Sequence, residues 1–150
     1  MEKLTFGQGR RPGQTFKNGS TQVDRKYIDF IVSGQSLGQT FGLPDLDFIG
    51  VFGWTENNEE ENKQLDEFLG KRTPELETGR TSFYVCPECG DIGCGAITAK
   101  IEITENRVIW KEFGYENNYS APQLDNYKSI PHLEFDKTEY IETFEKLRRR

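Results

Sequence analysis

Two runs of alternating residues constrain this chain more than any other feature. Ile97, Ala99, Ile101 and Ile103 alternate with Thr98, Lys100 and Glu102. Arg107-Val108-Ile109-Trp110-Lys111-Glu112-Phe113 repeats the habit after the polar link Thr104-Glu105-Asn106. A side-chain period of two is what a strand with one buried face requires, and two such runs joined by a short polar turn read as an antiparallel hairpin.

The flanking sequence predicts more elements of the same kind. Ile28, Phe30 and Val32 alternate from Lys26 to Ser33. Leu46 to Phe52 reads as a second strand with Gly50 as a bulge, and Ser82 to Val85 as a third. Ser36 to Phe41 fits one helical turn, closed by Gly42 and stopped by Pro44. Glu59 to Gly70 predicts a short acidic helix with Leu65, Phe68 and Leu69 as its buried stripe and Gly70 as its C-terminal cap. His132 to Phe135 predicts a last strand. Asp136 with Glu139 then caps a C-terminal amphipathic helix whose inner face is Tyr140, Ile141, Phe144 and Leu147. Residues 114–131 read as a long loop. The expected fold is a single α+β domain over residues 26–150, a mostly antiparallel sheet with the two helices packed on it. Residues 1–25, rich in glycine and basic side chains, read as an irregular arm.

Composition narrows the classes of function. At 150 residues the chain is long enough for one core without disulfides. Only 34% of residues are apolar, but eleven Phe, six Tyr and two Trp make an aromatic-rich core. A formal net charge of −6 argues against general nucleic-acid binding, which needs excess lysine and arginine. The N-terminal residues hold no apolar signal region, and no run approaches the length of a membrane span, so a cytoplasmic protein is expected.

All three cysteines lie in Cys86-Pro87-Glu88-Cys89-Gly90-Asp91-Ile92-Gly93-Cys94-Gly95. In a chain without an export signal they read as reduced thiols or metal ligands. Cys86, Cys89 and Cys94 supply three zinc ligands, and His132, the only histidine, completes a Cys₃His set if the fold brings it close. A redox dithiol at Cys86 and Cys89 needs a helix N-terminus to lower a thiol pKa, and the glycines and the acids Glu88 and Asp91 oppose that. The third reading is a glycine-dense connection between two strands with small thiols buried beneath it.

Acids crowd the middle of the chain. Asp45, Asp47, Glu56, Glu59, Glu60, Glu61, Asp66, Glu67, Glu75 and Glu77 stand against Lys63, Lys71 and Arg72, a net of −7. Such a run is either a solvated helix face or a docking surface for a basic partner. In the second cluster, Trp110 to Tyr119, Trp110 and Phe113 belong in the core and Tyr115 and Tyr119 on the surface. One histidine and no phosphate loop leave catalytic arrangements thin; 25 acids allow a paired-carboxylate hydrolase, though no spacing singles out two of them, and Arg148 to Arg150 complement a helix C-terminus.

The run Tyr84 to Ile97, then Val108 to Glu116, then Phe135-Asp136 and the final helix, with Ser33 to Leu37 and Leu46 to Gly50 upstream, resembles a group of small bacterial proteins that share this cysteine loop. Small acidic proteins of this kind look like immunity proteins of polymorphic or contact-dependent toxin systems. The resemblance implies a non-catalytic binding protein that occludes a cognate, basic, nuclease-like toxin domain. Its expected contact residues are Glu59, Glu60, Glu61, Asp66, Glu67, Tyr115 and Tyr119. The alternative is a zinc protein built on the cysteine loop, with the metal either structural or within a small enzyme, and after it a thiol oxidoreductase. Exposed aromatic residues suit a homodimer as well as a foreign partner.

Overall fold

The computed structural model describes residues 1–42, 47–87, 94–117 and 119–150. The chain opens with β1 (Leu4–Arg11), and β2 (Gln14–Thr15) and β3 (Thr21–Gln22) form a short ribbon after it. β4 (Arg25–Val32) then pairs antiparallel with β1, from Leu4 opposite Val32 to Arg11 opposite Arg25. The irregular arm expected over residues 1–25 is therefore corrected: most of it is strand, and Leu4 belongs to the buried core. Glycine hid this strand. Gly9 lies opposite Tyr27, and a Cβ there would fall within the Tyr27 ring; a Cβ on Gly7 would meet Ile31 at 3.1 Å. Large β4 side chains cover bare β1 backbone, so the alternation that marks a strand is missing from β1 itself.

β5 (Gln35–Ser36) joins the other side of β4 and runs into helix α1 (Leu37–Thr40), the helical turn expected there. The Ser36 hydroxyl accepts the Gln39 N–H at 3.1 Å as its cap. The strand expected from Leu46 contracts to β6 (Ile49–Gly50), and Pro44 and Leu46 lie outside the described residues. Gly50 is not a bulge. It pairs with Tyr84, and a Cβ there would meet the Ile28 carbonyl at 2.6 Å, so this glycine lets the β4 backbone come close.

After helix α2 (Asn58–Phe68) come β7 (Thr81–Val85), β8 (Ala96–Ile103), β9 (Arg107–Glu116), β10 (Leu133–Asp136) and helix α3 (Lys137–Arg148). Strands β6 to β10 form one antiparallel sheet in the order β10-β9-β8-β7-β6. The predicted hairpin is β8–β9, in register from Ile103 opposite Val108 to Ala96 opposite Glu116. One bulge interrupts it at Glu112, whose φ is 55°. The loop expected over 114–131 begins later, because Tyr115 and Glu116 complete β9. Its far part folds back, Tyr115 and Gln123 exchanging backbone hydrogen bonds at 2.9 and 2.8 Å. The fold is α+β with mostly antiparallel strands, as the alternation predicts.

The two larger sheets meet at both flanks. The Glu2 N–H donates to the Glu134 carbonyl at 2.8 Å, joining the β1 end to β10, and the Ile28 N–H donates to the Phe52 carbonyl at 2.8 Å, joining β4 to the β6 end. Strand order can thus be traced round a nearly closed ring. Its interior is aromatic: Phe30 lies within 6 Å of Phe6, Phe52, Phe68, Phe83, Tyr84 and Trp110.

Both main helices cover this cluster with the predicted stripes. Asn57 caps α2, and Leu65, Phe68 and Leu69 face the core. The α2 helix ends with Gly70 N–H on the Glu67 carbonyl at 3.2 Å and Lys71 N–H on the Asp66 carbonyl at 2.8 Å, with Gly70 at φ 72°. That is a Schellman motif. Asp136 caps α3 by accepting the Glu139 N–H at 3.0 Å. The Trp110 Nε1–H donates to the Tyr140 hydroxyl at 3.1 Å, which donates to the Phe68 carbonyl at 2.8 Å. One buried relay so ties β9, α3 and the end of α2 together.

Candidate functional site

A groove of about 320 Å³ lies beside α2. Asn57, Glu60, Glu61 and Gln64 fall at i, i+3, i+4 and i+7, which puts them on one helix face. Trp54, half-buried, lines the same groove, with the Arg25 guanidinium 5.8 Å from its ring centroid. Val51, after β6, and Val85, at the end of β7, supply apolar wall. The groove is rich in acceptors. The Gln64 Oε1 is buried with no hydrogen-bond partner among the described residues, and Glu60 is exposed, its carboxylate 3.3 Å from Lys63.

The fold divides the predicted acidic set. Glu59 and Glu60 are exposed, as a docking surface needs. Glu61 is not: it is 6% exposed, accepts the Gly53 N–H at 3.0 Å and pairs with Arg150. Asp66 is half-buried and pairs with Arg148 at 2.6 Å. The terminal arginines therefore neutralise α2 acids rather than serving only their own helix end, because α3 packs alongside α2. Glu67 is 5% exposed and turns the other way, into a cleft with Arg72, Thr81 and Ile103. Burial pushes its carboxyl up to about 6, against hydrogen bonds from the Glu75 backbone and the Thr81 side chain. Nor is Tyr115 an exposed contact. It is half-buried, stacked on Phe48 at 6.3 Å, and its hydroxyl covers Gly95. Tyr119 is 84% exposed, as expected.

The metal candidates are spread along the large sheet. Cys86 follows β7 and is half-buried; Cys94 precedes β8 and is exposed, which corrects the expectation of buried thiols there. Cys89 lies outside the described residues. His132 does not join them. Leu133 pairs with Trp110, whereas Val85 pairs with Ala96 and Ala96 with Glu116. His132 is exposed, three strands and several residues from Cys86, about 15 Å or more by strand spacing and rise. One tetrahedral ion needs its ligands within about 4 Å of each other.

Two buried polar clusters are closed on themselves. Arg80 donates to the Thr98 hydroxyl at 2.8 Å, the Thr98 carbonyl at 2.9 Å and the Glu112 carbonyl that the bulge presents. Glu116 lies 3.4 Å from Arg80 and accepts from Thr98 at 2.9 Å and Thr78 at 2.8 Å. Burial lowers the Arg80 pKa, with Glu116 acting against it. In the second cluster, the Tyr84 and Ser36 hydroxyls both donate to the buried Asp29 carboxylate. Burial and then Asp29 hold Tyr84 well above its ordinary value and push Tyr27 up to about 12. Such networks tie strands together and keep their donors occupied.

Trp54, Gln64 and Arg25 are not among the site residues expected from the sequence. The helical spacing from Asn57 through Gln64, with a tryptophan just before the acidic run, was the available signal for the first two. Arg25 comes from another strand, and only the fold brings it over Trp54. Compared with protein-family models, curated proteins and solved structures, the chain has no match in any of the three.

Proposed function

We propose that the protein is a non-catalytic binding protein of the immunity type, which neutralises a basic, nuclease-like toxin domain by covering its active site. The observation that carries this reading is the acceptor-lined groove beside α2, flanked by the exposed carboxylates of Glu59 and Glu60. A carboxylate face of this kind attracts a basic protein and raises its association rate. The reading places the protein in the cytoplasm; among the described residues no helix is long and apolar enough to cross a membrane. The partner face is smaller than the sequence suggests, since Glu61, Asp66 and Glu67 are neutralised or turned inward.

The test is a pull-down from lysate of the source organism with wild type and with Glu59→Lys/Glu60→Lys. A single basic protein recovered near one-to-one by wild type, and lost from the reversed variant, is the expected result. Equal recovery by both, or an acidic partner, would remove this reading. A second reading, zinc at the cysteine loop, is favoured by one observation: Cys86 and Cys94 stand at the neighbouring ends of β7 and β8. Stoichiometric zinc in protein purified without a histidine tag supports it, and metal-free protein of unchanged stability rejects it.

A further inference from the structure

The groove beside α2 has a more specific chemistry than acidity. Several of its polar atoms are already used: the Asn57 Oδ1 accepts the Glu60 N–H at 3.2 Å, the Thr55 hydroxyl accepts the Asn57 N–H at 3.2 Å, and Glu61 holds Gly53 and Arg150. What is left is an acceptor pair beside an indole and two valines: the Gln64 Oε1, without a partner among the described residues, and the exposed Glu60 carboxylate, whose Oε1 accepts from Lys63 at 3.3 Å and whose Oε2 has no donor among the described residues. An orphaned buried carbonyl costs free energy until a donor reaches it. A donor that also suits a carboxylate, an aromatic ring and an apolar wall is a guanidinium on a methylene stem. It offers five N–H groups in a planar fork, stacks on aromatic faces and lays its stem on apolar surface. An ammonium matches the charge but neither the plane nor the paired acceptors. The chain already sets a guanidinium against this indole, that of Arg25. At about 320 Å³ the space is near the lower limit of ligand pockets, which suits one side chain better than a cofactor.

We propose that this groove receives an arginine side chain of the partner protein, the guanidinium donating to Gln64 and Glu60 beside Trp54 and the stem lying on Val51 and Val85. This deepens, and rests on, the reading of a basic protein partner.

The chain carries its own probe. Trp110 is fully buried and Trp54 half-buried, so a ligand-dependent change in tryptophan fluorescence reports the groove. The intact protein is titrated with the peptide acetyl-Gly-Arg-Gly-amide and with its lysine counterpart. The expected result is a saturable signal with arginine, weaker for lysine by about 5-fold or more, as paired planar hydrogen bonds require. Gln64→Leu weakens the arginine peptide about 10-fold and Glu60→Gln by a few-fold, whereas Glu142→Gln on the exposed side of α3 changes nothing. No saturable change up to about 20 mM peptide, equal affinity for lysine, or full binding by Gln64→Leu would overturn the inference. The two readings separate with the whole partner. If it binds Gln64→Leu as well as wild type but not Glu59→Lys/Glu60→Lys, the arginine pocket fails and the docking face stands. If it binds all three alike, the docking face fails too.

Discussion

Burial sets the chemistry of Glu67: it is 5% exposed near the end of α2, and its carboxyl pKa is raised to about 6 from 4.5. A raised carboxyl pKa means that the folded state favours the protonated form. The associated stability is fully present below about pH 4.5 and is lost as the pH rises through about 6, on the order of 2 kcal/mol in all. Glu67→Gln keeps an acceptor and removes the titration. Relative to wild type, the variant is therefore expected to gain about 2 kcal/mol between about pH 4 and pH 7.5, measured by urea unfolding at both. A wild-type-to-variant difference that does not move with pH would discard the buried-carboxyl account. Tyr115 makes the same point without charge, because only the tertiary neighbours Phe48 and Gly95 turn an apparently exposed loop tyrosine into packing.

Elements differ in how openly their residues announce them. The β8–β9 hairpin and both long helices were legible, since period, caps and the Gly70 stop all act within a dozen residues. The β1 strand was not, because its glycines take their role from β4. Gly9→Val drives a side chain into the Tyr27 ring, which is only 8% exposed and has little room to move. The expected cost is about 1–3 kcal/mol in urea unfolding, as for other overpacked sites. Gln8→Val, one position away on the same strand but exposed, should stay within about 0.5 kcal/mol. Equal effects at the two positions would mean that Tyr27 does not depend on the bare backbone. The α2–α3 pair is a second case: the acids are read from one helix, but the arginines that neutralise them come from another, more than 80 residues away in sequence.

At the scale of the whole molecule, the near-closure of the strand ring is what holds the aromatic cluster. Residues 1–3 contribute to it in three ways. Glu2 donates to Glu134, the Lys3 carbonyl accepts the Ser33 N–H at 2.7 Å, and Lys3 pairs with Glu139 at 3.3 Å. Deleting residues 1–3 should leave β10 as an open edge. Hydrogen exchange is then expected to quicken about 10-fold or more over Leu133–Asp136 while β8 changes little, because local opening follows lost backbone pairing. Uniform acceleration across both strands would show that the closure stabilises the fold globally instead.

Neighbouring residues alone specify the α+β class, the antiparallel hairpin, the helix stripes and caps, and the aromatic character of the core. These follow from periodicity and local hydrogen bonding, which the chain carries in neighbouring residues. Long-range contacts make the first strand, neutralise or bury three of the five acids of α2, hold His132 apart from Cys86, and bring Trp54 and Gln64 to one groove. Each of those depends on contacts between residues far apart in the chain, where burial and charge pairing are set by the partner and not by the spacing.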